Sequence, residues 1–263
     1  MNRTKTQIDL SLFPEPVAEL IKDSDLYDSS CSEEARVYFI DRDGGLFLKE
    51  APAHTLKAEA DLTAYYHNLG LSAEVLHYGI WNNKDYMVTR RIPGEDCTYR
   101  IYLDDPKRLC DTTASLLRKL HEIRCASCPV NDRLQSYIAS VKQGYGRNHY
   151  EPDLFAGIWE FTSFVETWNA AQEGIRYLKS DALIHGDYCL PNIILNDWQF
   201  SGYIDLGNGG IADRHIDILW GIWTLKYNLG TAAYTDRFMD AYGRDRIEPE
   251  KLCQIAAMEM IGG

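Results

Sequence analysis

The stretch "LIHGDYCLPNIIL", Leu183 to Leu195, decides how this chain is read. Two apolar runs bracket Gly186, Pro191 and three polar side chains, His185, Asp187 and Asn192. Apolar runs separated by Gly and Pro predict strand, loop and strand, with the polar residues on the loop. A loop held by rigid strands is where catalytic groups concentrate. A plain polar turn containing an Asp has the same composition, so the choice rests on the rest of the chain.

Downstream, "FSGYIDLGNGG" (Phe200 to Gly210) predicts a strand entering a Gly-rich turn at Asp205. Asp187, Asn192 and Asp205 are a carboxylate, an amide and a second carboxylate around one short hairpin. Mg²⁺ prefers oxygen ligands of this kind. An Asp left off the metal can accept a hydroxyl proton. An Asp five residues before an Asn, followed by D-x-G, is the kinase layout. That layout requires a strand Lys and a helix Glu nearer the N-terminus. "ARVYFI" (Ala35–Ile40) and "LFLKE" (Leu46–Glu50) flank "DRDGG", which reads as a hairpin with Lys49 on its second strand. "HTLKAEADLTAYYHNLG" then spaces Leu56, Leu62, Tyr65, Tyr66 and Leu69 as a helix, which carries Glu59 and ends at Gly70. Lys49 alone would read as a surface lysine. Lys49, Glu59, Asp187-x4-Asn192 and Asp205-x-Gly207, in that order on compatible elements, read as one machine.

A second hairpin follows, "EVLHYGIW" and "DYMVTRRI" around "NNK", and "PGED" (Pro93–Asp96) breaks the pattern. A boundary near Ile92–Asp96 gives an N-terminal nucleotide-binding lobe, residues 1–92, and a C-terminal catalytic and substrate-binding lobe, residues 93–263. Asp104 or Asp105 can cap a helix with Pro106 early in it, and with Leu109, Thr113, Leu116, Leu117 and Leu120 inward. "IWEFTSFVETWNAAQEGIRYL" (Ile158–Leu178) reads as amphipathic helix, and further helices are expected over 217–228, 232–242 and 249–261. The fold class is α+β: a small β-rich lobe with one helix, then a larger, mostly helical lobe. A cleft between lobes is the expected ligand site.

Composition narrows the partners. The 263 residues are 45% hydrophobic and 25% charged, as in ordinary globular proteins, and the formal net charge is −12. Lys and Arg are scattered, so no basic stripe points to nucleic acid. An acidic cleft would attract a cationic small molecule. No apolar run approaches the roughly 18 residues of a membrane span, and "MNRTKTQIDLSLFPEP" does not read as a signal peptide, so a cytoplasmic location is expected. The seven Cys are irregularly spaced and read as reduced thiols. Cys125 and Cys128 form one C-x-x-C without the second pair that zinc needs. His121 ends an apolar helical stretch and reads as structural.

With these motifs in place, the chain resembles the aminoglycoside phosphotransferases, small-molecule kinases similar to eukaryotic protein kinases. "HGDYCLPNIIL" is similar to their catalytic loop, with Gly186 where protein kinases carry Arg. "SGYIDLGNGGIADRHIDI" is similar to their metal-binding strand and the helix start after it. The resemblance covers nearly the whole chain and is strongest to the 3′-phosphotransferase branch. It implies a two-lobed protein-kinase-like fold using ATP, or GTP, with Mg²⁺. Asp187 would be the catalytic base, and Asn192 and Asp205 the metal ligands. Lys49 would contact the α- and β-phosphates with Glu59 behind it. Phe47 and Ile204 would flank the adenine, and Arg90 to Ile92 would be the hinge.

In place of G-x-G-x-x-G the phosphate loop reads "DSSCSEEARVY", where Ser30 or Ser32 would serve. Asn208 stands where relatives often carry Arg. Asp217 would brace the catalytic loop, and His185 becomes scaffold. Glu151 and Asp153 in "NHYEPDLF", and Glu259 in "AAMEMIGG", would meet a cationic aminoglycoside. A monomer or weak dimer is expected, with no nucleic-acid or membrane partner. The motifs also fit a kinase of another small alcohol or amino-alcohol metabolite. A catalytically weak nucleotide-binding pseudokinase is the third reading. The short stretch between Gly207 and Asp217 leaves no room for the activation segment of a protein kinase.

Overall fold

The computed structural model describes residues 4–30, 35–124 and 127–263. It divides into two compact units, residues 1–94 with 201–207, and residues 95–200 with 208–263.

The first unit is built on a six-stranded antiparallel sheet. Its strands are β1 (Thr4–Thr6), β2 (Asp25–Asp28), β3 (Arg36–Asp41), β4 (Leu46–Pro52), β5 (Val75–Trp81) and β6 (Lys84–Arg90), in the order β1-β2-β3-β4-β6-β5. Asn82 and Asn83 join β5 to β6 with φ of 47° and 59°, the left-handed pair that suits the twist of a two-residue hairpin. Alternation along β4 sends its two sets of side chains to opposite faces. Leu46 and Leu48 enter a core with Phe13, Val17 and Ile21. Phe47, Lys49 and Ala51 take the other face, where Ala51 packs with Leu56, Ala60 and Met87.

Val17 and Ile21 belong to α1 (Glu15–Ile21), so the described residues of this unit hold two α-helices rather than the expected one. Seven residues with two buried positions are too few to show a helical period in sequence. The second helix, α2 (Lys57–Asn68), has no side-chain cap of its own. Fully buried Asp85 of β6 supplies the acceptor instead, taking the N–H groups of His54 at 3.1 Å and Leu56 at 2.7 Å. This fixes the first turn of α2, which carries Glu59.

The second unit begins with β7 (Glu95–Asp96), α3 (Arg100–Leu103) and α4 (Pro106–His121). Asp105 caps α4 by accepting from the Arg108 N–H, and the five expected inward residues are all buried. Then come α5 (Arg133–Gly146), α6 (Phe164–Ile175), β8 (Ala182–Ile184), β9 (Ile193–Asn196), β10 (Gln199–Tyr203), of which 201–203 belong to the first unit, β11 (Gly210–Ala212), α7 (His215–Leu229), α8 (Thr235–Tyr242) and α9 (Pro249–Glu259). Helix α4 packs on α8 and α7, and α9 on α6 and α7.

Helix α6 starts six residues later than the amphipathic pattern from Ile158 predicts. Ser163 accepts from the Glu166 N–H at 3.2 Å, while Glu166 accepts from the Thr162 N–H at 2.8 Å. This reciprocal capping stops the helix at Phe164. Strands β8 and β11 pair antiparallel, Gly210 opposite Ile184, and β9 pairs with β7, Leu195 opposite Glu95. The buried residues of β8 and β9 hold the two ends of the "HGDYCLPN" loop. No helix among the described residues is long and apolar enough to cross a membrane.

Candidate active site

In the first unit, the Lys49 ammonium sits between two carboxylates. Its Nζ is 2.9 and 2.8 Å from the two Glu59 oxygens and 3.0 Å from Asp205 Oδ1. Burial disfavours the charge on Lys49, but Asp205 and Glu59 outweigh it and hold the ammonium above its ordinary pKa. Burial pushes the Glu59 carboxyl up, with Lys49 opposing. Asp205 follows β10 in the left-handed region, φ 55°, and its side chain is 54% exposed. One of its oxygens takes Lys49, which leaves the other as a hard oxygen donor.

Phe47 shares the Lys49 face of β4, half-buried, with its ring centroid 5.4 Å from that of Phe39. Ile204 is half-buried beside Asp205 in the same unit. The backbone N–H groups of Arg90 and Arg91 donate to Glu74 O and Gly45 O, and the Arg90 side chain reaches the Glu74 carboxylate at 2.6 Å. Of the three expected hinge positions, Ile92 therefore has the uncommitted amide among the described residues. Ser30 Oγ accepts from the Val37 N–H at 3.0 Å, so its hydroxyl serves the link between β2 and β3. Ser32 lies outside the described residues, as does Cys125. Cys128 is buried, with its thiol on Val130 O.

In the second unit, the loop after β8 folds on itself. The Asn192 amide donates to Asp187 O at 3.0 Å and Oδ2 at 2.8 Å, and the Cys189 N–H donates to Asp187 O at 2.8 Å. The Asn192 amide oxygen is left as a second hard donor. Three outside groups hold the loop. Buried Asp217 accepts the N–H groups of His185 and Gly186, both at 2.7 Å. Tyr188 donates to Thr113 O at 2.8 Å, and Thr224 accepts from the Leu190 N–H at 3.0 Å.

Asp187 opens into a pocket of about 400 Å³ whose walls include Arg133, Tyr137, Asn208, Trp220 and Glu259. Glu259, near the end of α9, is buried and accepts from Tyr137 Oη at 3.0 Å. Burial pushes its carboxyl up to about 7, against Tyr137 and Trp220 and with help from the charge on Asp187. Burial pulls the Arg133 guanidinium down, and its Nε donates to Gly209 O at 2.8 Å. Of the three expected acceptor carboxylates, the pocket takes in Glu259 only. Glu151 is exposed and pairs with His149 at 3.1 Å, and Asp153 is exposed as well. Arg133, Tyr137 and Trp220 escaped the sequence reading. For Tyr137 alone a signal exists, because Tyr137, Val141 and Gly144 share the i, i+4, i+7 spacing of one face of α5, and all three are buried.

No group of three His, Cys, Asp or Glu suited to a metal occurs among the described residues. The free oxygens of Asn192 and Asp205 are nevertheless the donor class Mg²⁺ selects, and Mg²⁺ takes only one or two protein ligands beside phosphates and waters.

Residues 30–253 match the model of the family described as "Phosphotransferase enzyme family". A "Probable aminoglycoside 3'-phosphotransferase" of Lactococcus lactis is 41% identical over 261 residues, 99% of each chain. An aminoglycoside 3'-phosphotransferase of Niallia circulans is 26% identical, over 91% of this chain and 94% of that one. Among solved structures, the type VIII aminoglycoside-3'-phosphotransferase superposes with a TM-score of 0.73 at 20% identity, covering 94% of this chain and 98% of that one. An aminoglycoside phosphotransferase of Streptomyces rimosus, in complex with ADP and streptomycin, gives 0.72 at 22%, covering 96% and 99%. These two share the fold, an antiparallel sheet followed by a helical region.

Proposed function

The chain belongs to the phosphotransferase enzyme family, and on that premise we propose that it moves the γ-phosphoryl group of ATP onto a hydroxyl, the 3′-hydroxyl, of an aminoglycoside antibiotic. The observation that carries this reading is the pocket that holds both Asp187 and buried Glu259. A carboxylate able to take a hydroxyl proton and one able to meet an ammonium share one cavity.

Asp187 Oδ2 is oriented by Asn192, which points the carboxylate for proton abstraction from the acceptor hydroxyl. Lys49 contacts the α- and β-phosphates, with Glu59 fixing its direction. Phe47 and Ile204 enclose the adenine, and the Ile92 backbone meets its edge. Asn192 and Asp205 would hold Mg²⁺, whose charge neutralises that of the phosphates. GTP is an alternative donor, since the hinge contact is through backbone. Glu151 and Asp153 lie outside the Asp187 pocket and are left to the outer rings of the acceptor. The work belongs in the cytoplasm, where ATP is.

An acceptor screen with ATP and GTP in parallel tests this. Kanamycin and neomycin should drive nucleotide consumption and be phosphorylated. Turnover on a small alcohol metabolite with none on either antibiotic would move the reading to the alternative kinase. Tight ATP binding without transfer to any acceptor would leave a pseudokinase.

Glu259 gives a pH-dependent prediction. Its carboxylate must be ionised to pair with an ammonium, so the acceptor KM should fall as pH rises through about 7. Stability runs the other way. The folded value lies above the ordinary 4.5, so an unfolded chain releases this proton first. The contribution is intact below about 4.5 and is lost as pH rises toward 7, a change of roughly 3 kcal/mol. Glu259→Gln is therefore expected to raise Tm at pH 8, leave it nearly unchanged at pH 4.5, and remove the pH trend in acceptor KM. Thermal melts and steady-state kinetics at both pH values check it. A Tm gain equal at the two pH values would contradict the assignment.

A further inference from the structure

We propose that Tyr242 and His121 are positioning residues for Asp187, a hydrogen-bonded strut that runs from α8 through α4 and Asp217 to the backbone of the catalytic loop. The inference rests on the reading of Asp187 as the base.

The strut can be followed atom by atom. Asp217 receives the amides of His185 and Gly186, one on each oxygen, and both residues directly precede Asp187. A third group reaches the same carboxylate: His121 Nε2 stands 3.1 Å from Asp217 Oδ2. The other nitrogen, His121 Nδ1, stands 2.9 Å from Tyr242 Oη. Asp217 and His121 side chains are fully buried, and Tyr242 is 1% exposed.

Donor and acceptor rules set the direction of each bond. Asp217 can only accept, so His121 Nε2 carries the proton and Nδ1 is left to accept from the Tyr242 hydroxyl. Burial holds that hydroxyl up at about 12, with Arg214 opposing, so its proton stays in place across the working pH range. Arg118 donates to Tyr242 O at 2.9 Å and fixes the end of α8.

Three buried polar side chains in series are a costly way to fill a core. Apolar residues of similar volume would stabilise it as well or better. What the polar chain adds is direction, because each bond has a preferred length and angle. With His121 in place, Asp217 Oδ2 is held from two sides, and its hold on the His185 amide is set by the packing of α4 against α7. Without it, the carboxylate can rotate about its χ2, and the Gly186 amide moves with it. Asp187 is one residue further along. None of the groups assigned to phosphate, adenine or ammonium binding touches the strut, so loosening it should act on turnover and not on affinity.

The test uses the full chain with ATP and the best aminoglycoside of the acceptor screen. Tyr242→Phe keeps the ring and removes one hydroxyl. It is expected to lower kcat about tenfold, with both KM values within about twofold of wild type, since small misplacements of a reacting group are costly. In an Asp187→Ala background the same change should lower the residual rate by less than about twofold, because the group it positions is gone. His121→Gln, which keeps a donor toward Asp217, should retain more turnover than His121→Leu. A kcat within about twofold of wild type for Tyr242→Phe would overturn the proposal. So would a tenfold loss that persists undiminished in the Asp187→Ala background, which would mean a general loosening of the fold. If Asp187→Ala alone turns over at the wild-type rate, it is the base assignment that fails, and that is read from the single variant.

Discussion

Asp187→Ala is expected to lower kcat by roughly 10²- to 10⁴-fold, the scale of a general base. The loss should fall on turnover, because the groups assigned to the nucleotide are elsewhere. Lys49 keeps its contacts with Glu59 and Asp205, so the KM for ATP should change little. The fold should survive as well. Asp187 is only half-buried, and the loop is held independently of its carboxylate, its backbone by Asp217 and Thr224 and its Tyr188 side chain by Thr113 O. The variant releases one bond from Asn192, whose amide still reaches Asp187 O. The expected signature is thus a large fall in kcat on kanamycin with a Tm close to wild type. A purified variant that phosphorylates kanamycin at the parental rate would remove Asp187 from the chemistry, and with it the central role given to this loop.

The parts of the site legible in sequence are those encoded by short spacings. Asp187-x4-Asn192 lies within one loop, and that loop closes through bonds between those two residues. Lys49 and Glu59 lie ten residues apart, on elements announced by a hairpin turn and a helical period, and the ion pair follows from them. What was not legible depends on chain reversals over long range. Asp205 meets Lys49 because residues 201–207 fold with the first unit, and no shift in composition marks that return.

The pocket at Asp187 was harder still. It combines Arg133, Ser136, Tyr137 and Ser140 of α5 with the loop after β8, Trp220 of α7 and Glu259 of α9, which lie far apart in sequence. The family resemblance singled out Glu151 and Asp153 together with Glu259. Burial, which sequence does not print, separates the carboxylate in the pocket from the two in solvent. His121 shows the same limit. Its position at the end of an apolar helical stretch makes it look like filler, and its two partners lie 96 and 121 residues away.

Gly186→Ala is the second large effect, and it tests the geometry rather than the chemistry. Gly186 has φ +82°, where a side chain is strained by roughly 1–2 kcal/mol. Strain alone is modest. Gly70 has φ +73° with open space around it, and Gly70→Ala should show that cost and little else. At Gly186 an added Cβ would stand 1.8 Å from the Asn208 carbonyl oxygen and 2.2 Å from its carbon. Those are backbone atoms, so no rotamer change relieves the clash. Either the loop after β8 or the turn after Asp205 must move, and the Asp217 bond to the Gly186 amide goes with it. A destabilisation of 3 kcal/mol or more, roughly, is expected from strain, displacement and the lost buried bond together. Because Asp187 is the next residue, kcat should fall by at least about 10²-fold even in the molecules that fold. The same clash accounts for the absence of Arg at this position, where protein kinases carry one. With the Gly70→Ala control alongside, melts and kinetics on the two variants separate backbone strain from close approach. If Gly186→Ala melts and turns over like the Gly70 variant, the loop is not pressed against Asn208, and the placement of Asp187 in its pocket would have to be redrawn.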